Sequence, residues 1–299
     1  MVDKKSAWRG KTGGGNFGQL ALFQYFRYGS ISFAYCIMSC TIFFYLIINY
    51  KATRNIYSYF RSRHGYNIFK SAINTYRNHY LFGKTLIDKF AFFAGKRDKY
   101  SVEIINNEYF TEIDSDVTRG ALLLQSHVGS SELAGYFFSQ NSKVINAIIF
   151  GGESPVFQDY RSKLLTGHNV KLIPVTDGLS VIFEINNALG NNDFVSMTAD
   201  RIYEGSKNIE LNFLGAKAEF PLSPFQIAVK LHVPVLALFV MQNGYKKYCC
   251  HVYKIEAPEN ETVDTKAQVE LLAKKYVSTL EQIVKKYPLQ WYNFHKFWL

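Results

Sequence analysis

The sequence predicts an α/β fold: a mixed, mostly parallel sheet flanked by helices and preceded by an N-terminal helical membrane anchor. Two patterns carry that expectation. From about residue 100, short apolar runs alternate with amphipathic segments, the order of βαβ units. Ahead of them, residues 28–50 carry no charged side chain. Composition bounds both. A chain of 299 residues, 48% apolar, supports one large core; it is too apolar for disorder and too charged for many membrane spans.

Residues 1–16 are polar and glycine-rich. Gly10-Lys11-Thr12 resembles the end of a phosphate-binding loop, but Lys5 stands where that loop needs a glycine and no strand precedes it, which excludes the motif. A helix is expected over residues 17–50, with the core ISFAYCIMSCTIFFYLIINY. At about 1.5 Å per residue such a helix covers a hydrocarbon layer of about 30 Å. It lacks the short apolar centre and small-residue cleavage site of a signal peptide. Lys4, Lys5, Arg9, Lys11 and Arg27 precede it, and Lys51, Arg54, Arg61 and Arg63 follow. With basic residues on both sides, the positive-inside rule does not separate a span from a helix lying in the interface. A further helical stretch is expected over residues 66–95, where Ile68, Ala72, Tyr76, Leu81, Leu86 and Phe90 follow helical spacing. The chain therefore divides into a basic segment and anchor (1–50) and an α/β domain with a helical N-terminal part (51–299).

Strands are expected at 121–126, 144–150, 170–175, 193–198 and 233–240, with amphipathic segments starting near Ser131, Pro155, Leu179 and Pro221. A further strand at 248–255 pairs antiparallel with its predecessor across Gln242-Asn243-Gly244. Residues 264–287 read as a charged amphipathic helix, and the chain closes on the aromatic segment PLQWYNFHKFW.

The net charge of +10 calls for an anionic partner: nucleic acid, an anionic bilayer or a phosphorylated small molecule. No nucleic-acid motif or dense basic face is present, so nucleic acid is not expected. Cys36 and Cys40 lie in the apolar run, and Cys249 and Cys250 fall on opposite faces of a strand. Without a C-x-x-C pair or zinc spacing, they indicate a reduced, cytoplasm-facing protein with no metal site.

One segment carries chemistry. ALLLQSHVGSSELAG sets His127 directly after a buried strand, with Glu132 in the first turn of the next helix. Strand carboxyl ends are where open α/β sheets build their sites. With the loop folded back, Glu132 would accept a hydrogen bond from one imidazole nitrogen and leave the other as a base. This is triad logic without a protein nucleophile, in which the acceptor's own hydroxyl or amine attacks. The plainer reading is a loop histidine beside a glutamate favoured by the helix dipole. Phe213, Phe220 and Phe225 suit an apolar groove or, more ordinarily, the core.

In its surroundings the motif resembles the late acyltransferases of lipid A biosynthesis, within the lysophospholipid acyltransferase-like superfamily, which carry H-x4-D/E after a first buried strand. The resemblance extends to the basic apolar N-terminus, to residues 151–175 and 194–240, and to the aromatic ending at 290–298. It implies a glycerolipid acyltransferase-like fold at the bacterial inner membrane with the active domain facing the cytoplasm. It further implies direct transfer from an acyl thioester, on acyl carrier protein or coenzyme A, to a membrane lipid such as a lipid A precursor, without another cofactor. By the same resemblance His127 is the general base and Glu132 its charge partner, while Arg161, Lys163, Asp200 and Arg201 bind substrate. Val128, Gly129, Ser130 and Ser131 depart from the aromatic and Asn residues usual after the family's histidine, which leaves the acceptor open. A thioesterase, with water replacing the acceptor, and a non-catalytic membrane scaffold are the alternatives. The absence of G-x-S-x-G counts against a serine hydrolase.

Overall fold

The computed structural model describes residue 25 and residues 28–138, 142–150, 169–175, 178–202, 206–256 and 264–299. Three helices come first: α1 (Ile31–Ile48), α2 (Tyr50–Arg63) and α3 (Ile68–Phe93). The single helix expected over residues 17–50 is interrupted: Tyr25 and Tyr28 are helical, Ser30 is extended, and α1 then runs from Ile31 to Ile48, while residues 1–24, 26 and 27 lie outside the described residues. Asn67 starts α3 by accepting the Lys70 N–H at 2.8 Å on its side chain, which satisfies an otherwise orphaned helix donor.

The strands β1 (Ser101–Ile105), β2 (Ala121–Gln125), β3 (Ile145–Phe150), β4 (Val170–Val175), β5 (Phe194–Thr198), β8 (Val235–Gln242) and β9 (Lys247–Lys254) form a seven-stranded sheet. Their order is β1-β9-β8-β2-β5-β3-β4, and every pair is parallel except β8–β9. The mixed, mostly parallel sheet flanked by helices is thus the fold the sequence predicted. A hairpin, β6 (Asn208–Phe213) with β7 (Ala216–Pro221), forms a separate two-stranded sheet. The remaining helices are α4 (Asn107–Ser115), the single turn α5 (Ala134–Phe137), α6 (Gly178–Gly190), α7 (Ser223–Leu231) and α8 (Thr265–Lys286).

Side-chain alternation divides the core between the two faces of the sheet. Leu122, Leu124, Ala237 and Phe239 face one side, with Tyr59 and Phe60 of α2, Phe225 of α7, Tyr276 of α8 and Trp291 of the tail. Leu123, Leu236, Leu238 and Val240 face the other, with α1, Ile87 and Ala91 of α3, and Phe110 and Ile113 of α4. A strand buried on both faces reads as a continuous apolar run, which is why β2 and β8 are so plain in the sequence. Phe213, Phe220 and Phe225 are fully buried core residues.

Helix α1 packs on this body along one stripe, Ile31, Tyr35, Met38 and Ile42, at helical spacing. Gly83 of α3 makes room, since a Cβ there would overlap the Met38 thioether. The opposite face leaves Phe33, Phe43, Phe44, Ile47 and Ile48 exposed. By length and composition α1 is the one helix among the described residues able to cross a membrane.

A buried carboxylate ties α1 to the domain. Asp88 of α3 accepts hydrogen bonds from Tyr100 at 2.8 Å and from the hydroxyls of Tyr35 on α1 and Tyr248 on β9. Burial pushes the Asp88 carboxyl upward, and the tyrosine hydroxyls and Lys84 only partly offset it. Asp88→Ala would strand those buried hydroxyls without their acceptor, a loss of about 3 kcal/mol. Thermal unfolding of the full chain in detergent should show a clearly lowered Tm, and a Tm equal to wild type would mean that water replaces the carboxylate at no cost.

Candidate active site

Strands β2 and β5 are neighbours, parallel and in register from Ala121↔Phe194 to Gln125↔Thr198. Ala199 N–H continues the ladder with a 2.9 Å bond to Gln125 O. His127 and Asp200 each lie two residues beyond the last register pair, Gln125↔Thr198, so both emerge at the same height on adjacent strand ends.

The contact that results has two points. His127 donates its backbone N–H to Asp200 Oδ2 at 2.8 Å, and its Nδ1 meets Asp200 Oδ1 at 2.8 Å. An ionised carboxylate only accepts, so the hydrogen sits on Nδ1 and the lone pair of a neutral ring on Nε2. Among the described residues no hydrogen bond engages Nε2, and the His127 side chain keeps 27% of its surface while that of Asp200 keeps none. Burial alone would raise the Asp200 carboxyl. Attraction to His127, its two hydrogen bonds and the charge of Arg201 outweigh that and hold the group below the ordinary range.

The loop bearing His127 is stitched down on both sides. Ser130 N–H donates to Val240 O of β8 at 2.7 Å, and Gly129 N–H donates to Gln290 O at 2.8 Å. Tyr292 N–H donates to His127 O at 2.9 Å, and Val128 and Trp291 form a β-bridge. Gly129 has a φ of +62°, and a Cβ there would overlap the Val240 carbonyl, so the turn admits no other residue without moving. The tail is itself held by the N-terminal helices. Tyr59 of α2 donates to Pro288 O at 3.0 Å, and Asn78 of α3 to Leu289 O and Trp291 O at 3.0 and 2.9 Å.

Glu132 does not make the expected bond to an imidazole nitrogen of His127, whose Nδ1 is occupied by Asp200. Its carboxylate meets Lys89 of α3 at 2.7 Å (Oε1) and 2.6 Å (Oε2). The reason is local: Glu132 lies in a 3-10 turn, Ser131–Leu133, leading into the single turn α5, and the Lys89 side chain, only 11% exposed, needs a counter-charge. Asp200, expected as a substrate-binding residue, is the imidazole's hydrogen-bond partner. Arg201 follows it, half-buried beside the pair. Arg161 and Lys163 lie outside the described residues.

The sequence reading missed two tail residues. Asn293, buried, directs its Nδ2–H toward Asp200 Oδ2 at 3.4 Å. His295 is an exposed residue close enough to feel the charges of Arg201, Asp200 and His127. Partial loss of water around the ring, then the charge of Arg201, push it down to about 4, so it is neutral near pH 7. Among the described residues no group of three or more His, Cys, Asp or Glu side chains could hold a metal ion.

A family model described as bacterial lipid A biosynthesis acyltransferase matches residues 80–299. Among solved structures the chain is similar to the 1-acyl-sn-glycerophosphate (LPA) acyltransferase PlsC from Thermotoga maritima. The two share 17% identity over 78% of this chain and 96% of that one, at a TM-score of 0.34, too low for the superposition to carry an argument. No curated protein matches the sequence.

Two outcomes follow from this geometry. Gly129→Ala should lower stability by about 2 kcal/mol through strain and displacement of the Ser130–Val240 bond, read as a lower Tm. Because the Asp200 carboxyl is depressed in the fold, its ionised form stabilises at pH above its unfolded value of about 3.9, and this is lost as pH falls through the lower folded value. The acid limb of a Tm–pH curve should therefore be shallower in Asp200→Asn than in wild type; identical limbs would contradict the assignment.

Proposed function

Because the chain belongs to the bacterial lipid A biosynthesis acyltransferase family, we propose that it moves a fatty acyl group from a thioester to a lipid hydroxyl or amine, with His127 as general base. The observation that carries this reading is the partly exposed His127 ring, held at Nδ1 by buried Asp200, with no hydrogen bond on Nε2 from the described residues. The donor is an acyl thioester of acyl carrier protein or coenzyme A, and the acceptor a membrane lipid such as a lipid A precursor.

Nε2 takes the proton of the acceptor hydroxyl as its oxygen attacks the thioester carbonyl carbon. The C–S bond breaks, the thiolate leaves, and the imidazolium returns the proton to sulfur, giving a new ester and a free thiol. No acyl-enzyme forms. Asp200 orients the ring and offsets the transient imidazolium charge, as the carboxylate of a hydrolytic triad does. Arg201, with Arg161 and Lys163, holds anionic groups of the substrates. Glu132 acts on the site through its pair with Lys89. The exposed Phe and Ile face of α1 meets lipid while its other face stays on the domain, at the bacterial inner membrane with the active domain on the cytoplasmic side.

His127→Ala, assayed with a radiolabelled acyl thioester and extracted lipid acceptor, should lower kcat by about 10²–10⁴-fold with Tm and membrane attachment unchanged. Near wild-type transfer would sink the mechanism. Asp200→Asn should lower kcat with little change in KM. Glu132→Gln and Lys89→Met should be strongly non-additive in a double-mutant cycle; additive effects would mean that Glu132 acts on the substrates or the ring directly.

A further inference from the structure

We propose that Asn293, supplied by the C-terminal tail, is a positioning residue that keeps Asp200 turned toward His127. The inference rests on the general-base reading above and extends it to a residue more than ninety positions from Asp200 in the chain.

Asp200 has two oxygens with separate tasks. Oδ1 takes the ring hydrogen of His127. Oδ2 takes the His127 backbone N–H at 2.8 Å and faces the Asn293 amide at 3.4 Å. Because a carboxylate offers no hydrogen, the amide must present its nitrogen to Asp200, which fixes the amide's orientation chemically. The other end of that amide, Oδ1, is buried and finds no hydrogen-bond partner among the described residues. An unsatisfied buried carbonyl of this kind costs on the order of 1–3 kcal/mol, so Asn293 is a poor choice for stability alone. An apolar residue of similar volume would fill the same space without that cost. What an apolar residue cannot do is donate to Oδ2.

The backbone around Asn293 is aimed at the same target. Tyr292 N–H bonds His127 O at 2.9 Å, so the tail grips the main chain of the histidine while the next side chain reaches its carboxylate partner. Two residues further on, His295 senses the charges of Arg201, Asp200 and His127. The tail thus forms a third wall of the site, after the ends of β2 and β5. Without the amide, Oδ2 still accepts the His127 backbone N–H, but the carboxylate, whose terminal torsion is broad, turns with one restraint fewer. The Nδ1–H tautomer of His127 then faces a less firmly oriented acceptor.

The test uses the full chain in detergent micelles with its lipid acceptor. Asn293→Leu removes the donor and keeps the volume; Asn293→Asp keeps the shape but donates only while its carboxyl is protonated. Two adjacent carboxyls share a proton with a raised pKa, so Asn293→Asp should act like wild type at lower pH and fail as pH rises. For Asn293→Leu the expectation is a fall in kcat of about 10- to 100-fold, with KM within about twofold. In ¹⁵N-histidine-labelled protein, with the His127 signal assigned by its loss in His127→Gln, wild type should show a single Nδ1–H tautomer and Asn293→Leu a mixture.

The proposal is overturned if Asn293→Leu keeps kcat within about twofold and an unchanged His127 spectrum. It is equally overturned if Asn293→Asp shows the same pH-independent loss as Asn293→Leu, the signature of packing alone. Should Asn293→Leu fail to fold, the pH profile of Asn293→Asp carries the test by itself. The spectral readout needs no turnover. An active His127→Ala would defeat the general-base reading, whereas an unchanged tautomer in Asn293→Leu defeats only the present one.

Discussion

The register of β2 against β5 is the constraint on which the site depends. In a parallel pair, residues at equal distance past the last paired rung leave the sheet side by side. A slip of one residue would turn every side chain of the moving strand to the opposite face. Here it would bury the wrong half of the Leu122–Leu124 run and separate His127 from Asp200. The core and the site are therefore specified by the same rungs, and the apolar pattern that fills both faces of the sheet also aims the imidazole. The tail then secures what the register places, through Gln290, Tyr292 and Asn293.

Two buried aspartates show how surroundings decide what a carboxylate does. Asp200 and Asp88 are both about 1% exposed. Asp200 is met by a backbone N–H, an imidazole and a nearby guanidinium, and it is held below the ordinary range. Asp88 is met chiefly by neutral hydroxyls, which do not repay desolvation, and it is pushed upward. The first keeps a charge ready to balance an imidazolium. The second works as a hydrogen-bond hub between α1, α3, β9 and the segment before β1. Through Tyr35 that hub fixes α1 to the domain, so the exposed apolar face of α1 has a defined direction relative to the sheet.

Much of this was legible in the sequence. The central strands announce themselves as continuous apolar runs, and the helix over residues 264–287 by its amphipathic period. What escaped has identifiable causes. Strand β1 is a five-residue edge strand with no fully buried position, and its Val102 and Ile104 give only a short alternation. The β6–β7 hairpin turns at Leu214-Gly215, where a leucine takes positive φ, an unusual residue for a turn that normally signals itself with Asn or Asp. His127 was found because it follows a buried strand. Its partner was sought nearby, at Glu132, since local spacing is all that a motif exposes. The actual contact is set by strand order, which inserts β5 beside β2 ahead of β3, and no spacing within a single segment encodes that. Asp200 drew notice only by resemblance and for another role, while Asn293 lay hidden in an aromatic stretch whose rings read as core.

The magnitudes indicate how labour is divided in the proposed reaction. A positioned general base supplies about 10²–10⁴-fold, or roughly 3–5.5 kcal/mol of barrier. Enzymic acceleration commonly exceeds that by many orders, so most of it must come from bringing the thioester and the acceptor together and holding them aligned. In the proposed setting α1 would contribute to that. A lipid acceptor is confined to a surface, and a domain that keeps one helix against that surface meets it at a far higher local concentration than in bulk solution. Fixing α1 rigidly, through a packed stripe and a buried hydrogen-bond hub instead of a loose tether, holds the orientation as well as the proximity. In the proposed reaction the His127–Asp200 pair would set the chemistry, and the Asp88 hub would set how well an acceptor in the bilayer is presented to it.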